Sequence, residues 1–115
     1  MVSKSYIPER GDLIYLSFNP TRGHEQKGRR PALVISKSSY NKAGSKLALV
    51  CPITSTIRNN PFAVVVDTPK VKGVILGDHV RSLAWKEREA KFIAKCPAEV
   101  LQEVTGKLLA LVHGQ

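Results

Sequence analysis

"HEQKGRRPALVIS", residues 24–36, passes abruptly from a strongly polar segment into an unbroken apolar run. Glu25, Gln26, Lys27, Gly28, Arg29 and Arg30 come first, and Pro31 then leads into "ALVIS". A short apolar run bounded by turn residues reads as a strand buried on both sides. The polar part has two readings. It is either a solvated hairpin loop, as loops usually are, or the approach to a rigid strand that holds a ligand-facing arginine at its mouth.

The sequence on either side supplies the sheet. Upstream, "DLIYLSF", 12–18, mixes apolar alternation with aromatic and β-branched residues and reads as a first strand, which "NPTRG" breaks. Downstream, "SSYNKAG" leaves the sheet as a single helical turn. "KLALVCPITS", 46–55, is the longest apolar run and reads as a central strand, with Pro52 marking an edge or bulge because it has no N–H for the ladder. "FAVVVD", "GVILGD", "HVRSLAW" and "AKFIAKC" follow as further short strands, separated by "TPKVKG" and by a bend at 77–79. Strands this short and this closely spaced predict a small barrel or a strongly curved sheet.

The chain closes on its one clear helix. Pro97 suits the first helical position, Glu99 places a negative charge in the first turn, and Gly114 stands where helices commonly stop. Val100, Leu101, Val104, Leu108 and Leu111 recur at helical spacing, an apolar stripe that reads as core or dimer contact rather than a cofactor box. Gly106, which costs about 1 kcal/mol relative to alanine in a helix interior, is expected to permit a close packing approach.

Length and composition bound the class. The 115 residues, 43% of them hydrophobic, fit one globular domain spanning 1–115, without repeat or long linker. Eighteen Lys and Arg against nine Asp and Glu leave a net charge of +9, and the pI is near 9.9. So large an excess on a small surface attracts polyanions, nucleic acid first among them. An anionic membrane is disfavoured because no basic amphipathic helix appears. "MVSKSYIPERGD" has no signal-peptide apolar stretch and no run is long enough to cross a bilayer, so the expected location is the cytoplasm. Cys51 and Cys96 have no partner at zinc-ligand spacing and read as small apolar residues, so no metal and no cofactor is expected.

Familiar enzyme signatures are missing: no Gly-rich phosphate loop, no spaced Cys/His nucleophile pair and no close carboxylate pair is evident. What remains is polar chemistry at strand ends, in Arg30, Thr54, Ser55, Arg58, Asp78, His79 and Arg81. Small barrels present functional side chains at such places.

"GDLIYLSFNPTRGHEQKGRRPALVIS", then "VCPITS", "NPFAVV", "GVILGDHVRSLAW" and a terminal helix, in that order, resemble the MazF/PemK-type endoribonuclease toxins of bacterial type II toxin-antitoxin modules. The resemblance covers about residues 6–112. It implies a mainly β fold with short helices, an SH3-like small barrel carrying a C-terminal helix. It implies a homodimer that cuts single-stranded RNA without a metal, and a cognate antitoxin whose acidic tail occupies the same basic groove. On the family pattern the catalytic arginine directly before the strand proline is Arg30, the threonine ending the central strand is Thr54, and the loop acid is Glu25. Gln26, Lys27, Gly28, Arg29, Ser55, Arg58, Asp78, His79 and Arg81 fall where members line the RNA groove. Several members carry an amide in place of His79, so this residue bears on base preference rather than on the shared chemistry.

The residues themselves leave the proton carriers open. A guanidinium rarely gives up a proton, so Arg30 is read as a charge clamp and Glu25 as the group best suited to act as base, unless Glu25 is engaged with Lys27 or Arg29. Two other readings stand beside the nuclease: a non-catalytic nucleic-acid-binding barrel, since fold does not fix activity, and a gyrase poison of the CcdB type. The ending "LVHGQ" lacks the aromatic tip of the latter.

Overall fold

The computed structural model describes residues 6–18, 28–56 and 59–114. Seven strands form one curled half-barrel sheet: β1 (Asp12–Ser17), β2 (Arg29–Val34), β3 (Leu47–Thr54), β4 (Ala63–Asp67), β5 (Lys72–Leu76), β6 (Arg81–Ala84) and β7 (Lys91–Lys95). Helix α1 (Ser38–Asn41) is the single turn expected of "SSYNKAG", and α2 (Ala98–His113) is the terminal helix. The sheet runs β4-β5-β3-β2-β1-β7, and β6 pairs separately with β3.

The apolar stretches of β2 and β3, residues 32–34 and 50–53, are buried on both faces, which explains their continuous apolar runs. In β1, Leu13, Ile14 and Leu16 are buried, Tyr15 is exposed and the two end residues are polar. Leu13, Leu33, Cys51 and Ile53 pack with β4, β5 and Val104 of α2 into one core. Ile14, Leu16, Phe18, Ala32, Val34, Ala48 and Val50 pack with Leu83 and Trp85 into a second. Successive side chains on a strand point to opposite faces, so adjacent residues feed different cores.

β3 is the hub, and Pro52 is a central residue of it rather than an edge or bulge. Residues 47–50 pair with β6 and residues 53–54 pair with β5. Pro52 falls in the gap between these partners, where a missing N–H costs least.

At the N-terminal end of β1, Gly11 has φ +95, a conformation that favours glycine. Asp12, 2% exposed, accepts hydrogen bonds from the Tyr6 hydroxyl (2.5 Å) and the Glu9 N–H (3.0 Å), and pairs with Lys95 Nζ at 2.6 Å. Burial and this carboxylate push the Tyr6 phenol well above its ordinary pKa. The Gly-Asp pair therefore ties the N-terminal segment and β7 to β1.

In α2, Pro97 is the N-cap, one residue outside the helix, and Gly114 closes it in the left-handed region at φ 74. The expected stripe divides along its length. Val104 is fully buried and Val100 and Leu101 pack against the same core, whereas Leu111 is 46% exposed; Leu109 and Val112, outside the stripe, are exposed as well. Gly106 makes no close approach, because a Cβ there would meet nothing within 4 Å. Among the described residues no helix is long and apolar enough to cross a membrane.

Candidate functional site

The opening stretch becomes the end of β2, and the register decides which of its arginines faces the site. The β2–β3 ladder runs through Val34↔Val50, Leu33↔Cys51 and Ala32↔Pro52. Carried two residues outward, the same register sets Arg30 across from Thr54 on one face, where opposed side chains are close neighbours. The paired residues stop at Ala32↔Pro52, and Pro31 and Pro52, both without an N–H, stand at the end where the strands part. A cavity of about 300 Å³ opens there, lined by Arg30, Pro31, Ile53, Thr54, Ser55 and Lys72.

Thr54 Oγ1 accepts a hydrogen bond from the Thr56 N–H at 3.1 Å. The hydroxyl thus keeps its own proton for an anionic acceptor. On the other side of Thr54, β5 packs unusually close. A Cβ at Gly73 would lie 2.7 Å from the Thr54 carbonyl oxygen, so the absent side chain is what lets β5 wall the cavity.

A second cleft of about 410 Å³ shares Arg30 and continues over Phe18, Pro52, Leu76, His79, Val80 and Arg81. The Arg81 guanidinium lies over the Phe18 ring, 5.4 Å from its centre. Arg30, between the two clefts and solvent-exposed, thus stands at the middle of a continuous groove.

Phe18 and Gly28 are held together at the end of the β1–β2 ladder. The Phe18 N–H donates to the Gly28 carbonyl at 2.8 Å. Arg88 donates to the Ser17 and Phe18 carbonyls at 3.1 and 2.8 Å. Burial, with Arg81 nearby, lowers the Arg88 pKa, yet its charge remains directed at those carbonyls.

Arg29 corrects one expectation. One residue along β2 from Arg30, its side chain takes the opposite face and is only 12% exposed. It lies over the Tyr15 ring at 4.9 Å, donates to the Glu89 carbonyl at 3.1 Å and faces the Glu89 carboxylate at 3.8 Å. It braces β1 against the turn after β6 and does not line the groove. Gly28 is likewise buried at the end of the β1–β2 ladder rather than a lining residue.

Ser55 lines the first cleft, and His79 and Arg81 line the second. Asp78 lines neither. Its carboxylate accepts from the Asn60 amide at 3.2 Å and lies 3.7 Å from His79 Nε2. Glu25, Gln26, Lys27 and Arg58 lie outside the described residues. Burial, with Asp78 adding, pushes the Cys51 thiol up to about 12. Burial, with Glu99 adding, pushes Cys96 up to about 11. Neither is a nucleophile near neutral pH.

Sequence reading missed Phe18, Lys72 and Arg88. Phe18 was an ordinary end-of-strand aromatic, and Lys72 sat inside the apparent separator "TPKVKG". The folding of the sheet brings Phe18 and Lys72 to clefts that they share with Arg30, and Arg88 holds the Phe18 carbonyl.

Residues 9–112 match the family model of the PemK-like, MazF-like toxins of type II toxin-antitoxin systems. The chain belongs to this family. The Endoribonuclease toxin MazF of Escherichia coli (strain K12) is 42% identical over 97% of this chain and 99% of its own length. Among solved structures, MazF from Deinococcus radiodurans (Form-I) superposes with a TM-score of 0.82 at 46% identity, covering 96% of this chain and all of that one. The same organism's MazE-MazF complex (Form-II) gives a TM-score of 0.81 at 43% identity, over 94% of this chain and 97% of its counterpart. The groove around Arg30 thus lies in a MazF-like half-barrel, and the expected fold stands.

Proposed function

We propose that this chain is a toxin endoribonuclease that cuts single-stranded RNA in the groove centred on Arg30. The observation that carries the reading is the meeting of Arg30 and Thr54, 24 residues apart in sequence, at one cavity of a MazF-like fold. The 2'-hydroxyl of one nucleotide attacks the adjacent phosphorus. A 2'-O–P bond forms as the P–O5' bond breaks, leaving a 2',3'-cyclic phosphate and a 5'-hydroxyl. One proton leaves the attacking hydroxyl and one reaches the departing oxygen. Negative charge grows on the phosphorus oxygens in between, and a fixed guanidinium with a hydroxyl donor beside it stabilises that charge.

Glu25, which lies in sequence between the paired Phe18 and Gly28, is the proposed base. Gln26, Lys27 and Arg58 join Ser55, His79 and Arg81 in holding the strand. The exposed Arg81 guanidinium, lying over the buried Phe18 ring, offers a planar face on which a base can stack, and the +9 charge draws the polyanion in. No metal is required for this route.

The partners follow from the same surface. An acidic antitoxin tail competes with RNA for the groove. The exposed Leu109, Leu111 and Val112 at the end of α2 support a homodimer, and sedimentation at micromolar concentration is expected to give twice the chain mass. Incubating the purified protein with a long RNA in the presence of a chelator, and mapping the ends, tests the chemistry. Cuts at a recurring short sequence with cyclic-phosphate and 5'-hydroxyl ends are expected. Binding without cuts would support the non-catalytic barrel instead, and inhibition of gyrase with RNA left intact would support the gyrase poison.

A further inference from the structure

Lys72 reaches the Arg30 cavity from the strand that sequence reading gave no role. It lines the same wall as Thr54 and Ser55, and its backbone is firmly mounted. The turn before it is locked: Thr68 N–H donates to the Val71 carbonyl at 2.8 Å, and the Val71 N–H donates back to Thr68 Oγ1 at 2.9 Å. The residue after it, Gly73, is pressed against the Thr54 carbonyl, so β5 cannot lie further from the cavity without losing that contact.

The ammonium itself is held more lightly. Lys72 Nζ pairs with Asp67 Oδ1 at 2.6 Å across the β4–β5 ladder, where the two residues are register partners. Both side chains are about 70% exposed, 68% for Lys72 and 72% for Asp67. An ion pair this open to water contributes little to stability, and a lysine on a four-carbon stem can leave it at small cost. A cation on a rigid strand, at the rim of the Arg30–Thr54 cavity and loosely occupied by an exchangeable carboxylate, is arranged for a competing anion.

We propose that Lys72 is a backbone-phosphate contact of the RNA at the Arg30–Thr54 cavity, and that Asp67 is the internal anion the RNA displaces. The inference rests on the proposed nuclease reading and adds to it a binding residue and a competitor for that residue. Lys72 contacts phosphate and reads no base, so its contribution is independent of sequence. Asp67 holds the ammonium in place while the cavity is empty and opposes RNA entry by competition.

The test uses an RNA cut by the wild-type protein, together with a copy carrying a 2'-deoxy sugar at the cut site so that binding is measured without turnover. Lys72→Ala is expected to raise KM and the Kd of the uncut copy about tenfold, with kcat nearly unchanged. The slope of log affinity against log salt becomes shallower by about 0.7, the value for one phosphate contact on a single strand. Lys72→Arg restores most of the affinity, and Asp67→Asn lowers KM, an effect that shrinks when Lys72 is already alanine. The melting temperature barely moves in any of them, as an exposed pair requires. Wild-type KM and salt slope in Lys72→Ala, alongside loss of cleavage in Arg30→Ala, would overturn the Lys72 assignment and leave the nuclease reading standing. Wild-type cleavage in Arg30→Ala would remove the site on which both rest.

Discussion

Arg30→Ala is expected to lower RNA cleavage by roughly 100-fold or more, by analogy with the loss of one preorganised oxyanion donor, with no loss of folded structure. The side chain is exposed at a strand end and belongs to neither core, so circular dichroism and melting temperature should match the wild type. Its neighbour is the internal control. Arg29→Ala removes a brace on Tyr15 and Glu89 from the opposite face, so it should cost some stability while retaining most of the cleavage. Thr54→Ala should lie between the two, because water can replace a hydroxyl donor in part. His79→Gln should remain active and at most shift the preferred sequence, since an amide still hydrogen-bonds a base edge. All four are compared on one RNA at fixed salt, with released ends checked for the cyclic phosphate. Full activity in Arg30→Ala, or loss of activity confined to the histidine variant, would reverse the assignment.

The second large effect falls on folding rather than chemistry. Asp12→Ala strands the Tyr6 hydroxyl and the Glu9 N–H, both of which end on Asp12 Oδ2. Leaving two such donors without an acceptor costs about 3 kcal/mol. Lys95 adds little to that sum, because its ammonium is 66% exposed and water takes over its solvation. At the size of this chain the loss corresponds to a fall in melting temperature of about 10 °C. Asp12→Asn should lose less, as its amide oxygen, set where Oδ2 stood, still accepts both bonds. Since the cluster lies at the other end of β1 from Arg30, the folded fraction of Asp12→Ala should cleave RNA with an unchanged KM. A melting temperature within a degree or two of the wild type would show that these donors find other acceptors.

The order and kind of the elements were legible in the sequence because each rests on local chemistry. Alternation and β-branching mark β1, continuous apolar runs mark β2 and β3, and Pro97 and Gly114 bracket α2. Arg30, directly before a strand proline, and Thr54, at the end of the longest apolar run, were legible as candidates from their places at strand ends and from the family pattern. Only the tertiary structure could set them face to face, because the register of β2 on β3 is a pairing between segments distant in sequence. The same register separated Arg29 from Arg30. Their charge and neighbourhood are alike in sequence, and a period of two residues sends one to the groove and the other onto Tyr15. Pro52 was misread for a related reason: a proline has no N–H wherever it stands, but whether a partner wants that N–H depends on where β6 ends and β5 begins along β3. Gly106 suggested close packing that α2 does not make, since which face of a helix meets a neighbour is decided by the neighbour. Lys72 shows the limit most plainly. Its sequence context is that of a turn, and its place at the cavity arises from a glycine that lets one strand press against the backbone of another.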